Sequence, residues 1–228
     1  MSNQFNHQSL SDKVAEYLKR EIFLENYQGG DRILETQVAK ELDVSRAPVR
    51  EAIKELESAG LVETIPRKGS FVISFKESDI REIFEIRVLL EGRMMEILIC
   101  NDLLDEKDFA HLEKLIEEML KIVDKDIPEN EKVVELNDKD ITFHKYLWEK
   151  TDRKFTQRIL KVIYNQLKLA MIIDSRKENS LEESVKEHYK IIKNLKEKNI
   201  KKIRQSLIDH IVSYNESLMS QKEIYPDI

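Results

Sequence analysis

Backbone punctuation is the tightest constraint on this chain: 228 residues contain only five glycines and four prolines. Sandwiches and barrels built on many tight turns need more of both, whereas long helices with short connections do not. The expected fold is therefore mainly α. With 41% hydrophobic residues the chain can fill a core, which excludes disorder throughout. A single cysteine, Cys100, excludes a disulfide scaffold and a cysteine-built zinc ribbon. Met1 to Gln8 is polar and lacks an apolar leader core, and no run approaches the ~18 apolar residues of a membrane span. These features predict a soluble, cytoplasmic protein with no membrane partner.

Charge is unhelpful at first sight. The formal net charge is −6. Residues 1–75 carry ten Lys/Arg against twelve Asp/Glu (−2), and the remainder twenty-eight against thirty-two (−4). Any contact with nucleic acid must come from a local basic stripe.

Such a stripe exists. Val14, Leu18 and Ile22 recur at helical spacing, and Tyr27–Asp31 then breaks the pattern with paired glycines. A short second helix is expected over Thr36–Leu42, followed by a tight turn at Asp43-Val44. Ser45 stands where an N-cap oxygen would serve a third helix, with Val44 and Val49 placed as a hydrophobic staple. Val49, Ile53 and Leu56 mark the buried face of that helix, and Arg46, Arg50 and Lys54 line another face. Two β-type runs follow, Leu61–Ile65 and Ser70–Ile73, joined by the cationic hairpin tip Pro66-Arg67-Lys68-Gly69.

Short helix, turn, arginine-bearing helix and hairpin together predict a winged helix-turn-helix whose third helix enters the major groove of double-stranded DNA. Arginine there can donate twice to guanine, Ser45 can reach a phosphate, and Gly69 lets the wing's backbone approach closely. The plain alternative is a winged helix used for protein contacts, its arginines merely solvated.

Beyond a joint at Ser74–Ser78, with Ser78-Asp79 as a cap, six helices are expected and no strand: Asp79–Asn101, Asp105–Val123, Glu131–Lys150, Arg153–Asp174, Leu181–Lys198 and Ile200–Ser220. Short connections suit an antiparallel bundle. In the first of them Ile83, Leu90, Met94 and Ile97 are expected inward.

Three histidines fall on apolar faces. Asp140 and His144 are one turn apart on the third of these helices. His188 and His210 are equidistant from residue 199, the expected turn, so an antiparallel hairpin sets them side by side. Tyr214 shares the stripe of His210. One carboxylate and three imidazoles suit a divalent Zn, Ni or Mn ion. Spacing alone leaves open the alternative of hydrogen-bonded core histidines.

The run Val44-Ser45-Arg46-Ala47-Pro48-Val49-Arg50-Glu51-Ala52-Ile53, with Leu56-Glu57 and Gly60-Leu61-Val62 behind it, resembles the DNA-binding domain of GntR-family bacterial transcription regulators. The resemblance implies DNA-facing positions at Thr36, Ser45, Arg46, Ala47, Arg50, Lys68 and Gly69. Asp43 stands where that family usually has Gly, and aspartate tolerates the left-handed turn. Thr36 stands where relatives often place a charged residue. Residues 79 to about 220 resemble the FCD effector-binding domain of the FadR subfamily, on Asp140-Ile-Thr-Phe-His144, Glu187-His188 and Asp209-His210. That resemblance implies a metal on Asp140, His144, His188 and His210. It also implies that Arg87 pairs with the carboxylate of a small effector; an exposed bridge to Glu91 is the alternative.

The expected organisation is a DNA-binding domain at 1–75 and a helical domain at 76–228 that binds metal and effector. The expected function is that of a homodimeric, metal-containing transcription regulator, a repressor tuned on a pseudo-palindromic operator by a small carboxylate. A metal sensor and a helical metalloenzyme are the competing readings. For an enzyme, Glu187 beside His188 is poorly aimed as a general base, because adjacent helical residues point about 100° apart.

Overall fold

The structure, a computed structural model, describes residues 9–175 and 180–212. Most of the expected Ser175–Ser180 loop, Tyr214 and the continuation of the last helix to Ser220 lie outside the described residues. The chain separates into two compact units, Met1–Lys76 and Glu77–Ile228.

In the first unit, α1 (Leu10–Phe23) starts at Ser9, which forms a capping box with Asp12. Its apolar face (Val14, Leu18, Ile22) packs on α3 (Arg46–Ser58), which buries Val49, Ala52, Ile53 and Leu56. Between them α2 (Glu35–Glu41) buries Val38 and Ala39. The α2–α3 turn closes with the N–H of Val44 on the carbonyl of Ala39 (2.9 Å) and that of Asp43 on Lys40 (3.4 Å). This is a Schellman ending, and it sets Asp43 at φ 50°. Aspartate thus does here what glycine usually does.

The same device recurs. Glu25, Asp102 and Lys198 all have positive φ at helix ends, with the same paired hydrogen bonds around them. Helix termination without glycine is how so many helices coexist with five glycines.

The wing is the antiparallel pair β2 (Val62–Ile65) and β3 (Gly69–Val72), register Val62↔Val72. The sequence reading misses a third strand. β1 (Arg32–Ile33) pairs with the other edge of β3, giving the order β1-β3-β2. Two residues are too short for a period-2 signal to register.

The second unit holds α4 (Glu77–Cys100), α5 (Glu106–Val123), α6 (Glu129–Lys150), α7 (Lys154–Ser175), α8 (Leu181–Lys196) and α9 (Ile200–Val212), with no strand among the described residues. Two expectations are corrected. Ser78 lies inside α4 rather than capping it, because the helix begins at Glu77. The inward face of α4 carries Ile80, Phe84, Arg87, Val88, Glu91, Met95 and Leu98; Met94 and Ile97 are buried as expected, whereas Ile83 and Leu90 are only half-buried. Arg87 and Glu91 point into the bundle, and the inward face is turned with them away from Ile83 and Leu90. No helix among the described residues is long and apolar enough to cross a membrane.

Candidate functional site

On the first unit, Thr36, Ser45, Arg46, Ala47, Arg50 and Lys68 are all exposed. Ser45 occupies the N-cap position of α3 with extended backbone (φ −72°, ψ 164°), but its hydroxyl makes no capping hydrogen bond. The hydroxyl expected to satisfy the helix is thus left for another partner. Gly69 sits at φ 113°, and a Cβ there would come within 2.8 Å of Arg32 Nε. The exposed guanidinium of Arg32, on the unexpected strand β1, therefore lies across the wing glycine.

The arginines of α3 are not merely solvated. Glu35, the first residue of α2, accepts from Arg46 Nη2 at 2.8 Å and from Arg50 Nη2 and Nε at 3.0 and 3.1 Å. These bonds, Arg50 first, push the Glu35 carboxyl down to about 2. Sequence reasoning misses Glu35 because its partners lie on the next helix.

In the second unit the four residues spaced for a metal come together, all buried, their ligand atoms within 4.8 Å of one another. α6 supplies Asp140 and His144 one turn apart. The α8–α9 hairpin, turning at Lys198 (φ 52°), brings His188 and His210 to a centroid separation of 4.2 Å. Asp140 Oδ1 lies 3.1 Å from His188 Nε2, 3.0 Å from His210 Nε2 and 3.8 Å from His144 Nε2. Every Nε2 thus faces one point.

The outward nitrogens have acceptors behind them. His188 Nδ1 lies 3.1 Å from the Val185 carbonyl, His144 Nδ1 2.5 Å from Glu91 Oε2, and His210 Nδ1 3.5 Å from Glu187 Oε2. At His188 the Val185 carbonyl accepts from Nδ1 and so turns the Nε2 lone pair inward, the second layer that metal-holding histidines use, while the Glu91 and Glu187 carboxylates lie near the other two Nδ1 atoms without hydrogen-bond geometry. Glu187, poorly aimed past its neighbour His188, is placed against the histidine of the adjacent helix instead.

Arg87 completes the cluster. It is buried, donating through Nε to Glu91 Oε1 and through Nη2 to Asp140 Oδ2, both at 2.8 Å, with Nη1 against Met171 Sδ at 3.4 Å. The pairing with Glu91 exists, but in the core rather than on the surface. Burial opposes charge on Glu91, yet His144 and Arg87 outweigh it and bring the carboxyl to about 2. Asp140 is likewise held well below the usual range, burial being overcome by Arg87 and His144. Burial and the neighbouring His210 lower His188 to about 4, so its imidazole is neutral near pH 7. A cavity of about 20 Å³, room for about one water, reaches Asp140 and His188 between Asn137, Ser184 and apolar side chains. Arg87 is not on its wall.

A winged helix-turn-helix followed by a helical bundle is the build of a two-domain DNA-binding regulator. Residues 10–72 match the family described as bacterial regulatory proteins, gntR family, and residues 82–213 match the FCD domain. An uncharacterized HTH-type transcriptional regulator of Bacillus subtilis, YdhC, is 32% identical over 85% of this chain and 84% of its own. The gluconate operon transcriptional repressor of the same organism is 31% identical over 70% of this chain and 60% of its own. The fold is similar to that of Escherichia coli McbR/YncC (TM-score 0.71, 20% identity, 95% of this chain and all of that one). A putative GntR regulator from Rhodococcus is comparable (TM-score 0.69, 21% identity, 94% and 99% of the two chains). The chain belongs to the GntR family of bacterial transcription regulators and carries an FCD domain. Its relatives and domains make it a DNA-binding regulator and not an enzyme, which removes the metalloenzyme reading.

Proposed function

We propose that this regulator is a cytoplasmic homodimeric repressor, with residues 1–75 reading a pseudo-palindromic operator and residues 76–228 holding a metal and responding to a small carboxylate. One observation carries the reading: three imidazoles and one carboxylate converge in the core with acceptors behind each ring. His144 Nε2 is buried and has no hydrogen-bond partner among the described residues, an arrangement that costs stability unless something accepts its lone pair. The donor set, three nitrogens and one oxygen, fits Zn, Ni or Mn. Asp140, His144, His188 and His210 would hold the ion, which when bound supplies a Lewis-acidic centre for a ligand oxygen. Arg87 fixes Asp140 through Oδ2 and so keeps Oδ1 toward the histidines. Its Nη1, which lies against Met171 Sδ, is the donor we assign to an effector carboxylate.

Repression is supported by the likeness to the gluconate operon repressor. On the DNA side, Arg46 and Arg50 read bases, Thr36, Ser45 and Ala47 meet the backbone, and Lys68 and Gly69 place the wing. A second reading is favoured by the size of the cavity beside the cluster, which has room for about one water. In that reading the metal itself is the signal. Elemental analysis of untagged protein separates the outcomes. One ion per chain, lost in His188→Ala/His210→Ala, is expected; no ion, and none on reloading, makes the histidines core residues. Operator affinity that follows metal with no organic ligand present would establish the sensor.

A further inference from the structure

We propose that Glu35 is a positioning residue for DNA recognition, holding the Arg46 and Arg50 guanidiniums side by side so that their remaining N–H groups select guanine. The inference rests on α3 being the DNA-facing helix. Arg50 gives Nε and Nη2 to the carboxylate, one whole edge of its guanidinium, and leaves Nη1 out of the pairing. Arg46 gives only Nη2 and keeps Nε and Nη1. Guanine offers O6 and N7 side by side, so an arginine reads it only when donors are presented in a fixed plane. The two arginine side chains are 57% exposed and that of Glu35 26%, so the carboxylate is the more sheltered partner and the arginines stay open to solvent.

Two long side chains of like charge would otherwise separate and sample many rotamers. Glu35 stops both, at a cost: a negative charge on a surface that meets phosphates weakens sequence-independent attraction. An ordinary surface pair would alter general affinity and leave sequence choice alone. Glu35 also sits in the first turn of α2, where Leu34 provides no side-chain cap, so a dipole role alone would affect stability and nothing else.

The test uses the full-length, metal-loaded chain. Wild type selects a duplex from a randomised library; that duplex and a scrambled one are then titrated with wild type and Glu35→Gln at several salt concentrations. Glu35→Gln should bind the scrambled duplex more tightly with a steeper salt dependence. Its preference for the selected duplex should fall about tenfold or more, with at most a small change in the thermal midpoint. Equal tightening on both duplexes, or an unchanged preference, would overturn the role of Glu35 while leaving the DNA-facing assignment intact. If wild type selects no sequence, that assignment fails and the proposal falls with it.

Discussion

Two arginine–carboxylate clusters in this molecule invite comparison, one in water and one away from it. Glu35 with Arg46 and Arg50 lies at the surface, where both arginines stay more than half exposed. Such pairs contribute little to stability because water screens them. Arg87 with Glu91 and Asp140 lies in the core, with side-chain exposures of 2%, 0% and 8%. There every charge needs its partner, since a lone buried ion has no water to fall back on. The first arrangement suits the proposed DNA-reading face, where a pair in water orients two side chains and leaves their other N–H groups open. The second suits a frame that must hold its shape while something binds inside it.

The sharpest way to break this contrast is Arg87→Met. It leaves Glu91 and Asp140 without their cation and should destabilise the helical unit by about 3–5 kcal/mol, read from urea unfolding. A cost below ~1 kcal/mol would make the core network no different from the surface one. Adding Glu91→Gln should recover part of the loss, because residues in one network are not additive. An Arg87→Ala protein that fails to respond to an effector must therefore be shown to be folded before the failure is assigned to ligand contact.

Metal comes next. Loading at 100 times the dissociation constant should raise the unfolding free energy by about 2.7 kcal/mol, and a chelator should remove the gain. His144→Ala should abolish the response; retention of it would dismiss the proposed ligand set. Arg46→Ala should be almost silent in unfolding but should lose about 1–3 kcal/mol of base discrimination, measured against a scrambled duplex.

Glu35→Gln should likewise cost little in unfolding, at most about 1 kcal/mol. Because the Glu35 carboxyl is pushed down to about 2, its contribution is present above the ordinary value of 4.5 and fades only as pH falls toward 2. A clear loss between pH 6 and 5 would point to another group.

Much of this was legible in the sequence. The helix-turn-helix follows from apolar spacing and from Ser45 and Asp43 at the ends of helices. The four clustered residues follow from spacing within α6 and from symmetry about residue 199. What stayed hidden is long-range or too short to carry a period. β1 has two residues and pairs only because β3 is there to receive it. Glu35 meets arginines eleven and fifteen positions away. In α4 the charged residues face inward because Asp140 and His144 balance them, and no pattern within α4 states that. Glu91 was visible as the i+4 neighbour of Arg87, but its burial was not.

The α8–α9 hairpin has one consequence for the kinds of sequence change this protein can absorb. His188 and His210 meet because each is eleven residues from residue 199, so the turn acts as the zero of a ruler with two equal arms. Substitutions along the arms alter packing by degrees. A single insertion or deletion within either arm rotates everything beyond it by about 100° and shifts it by about 1.5 Å, taking one imidazole off the cluster altogether. Lengths 188–199 and 199–210 are therefore fixed even where their letters are not, and drift in this segment is confined to spelling.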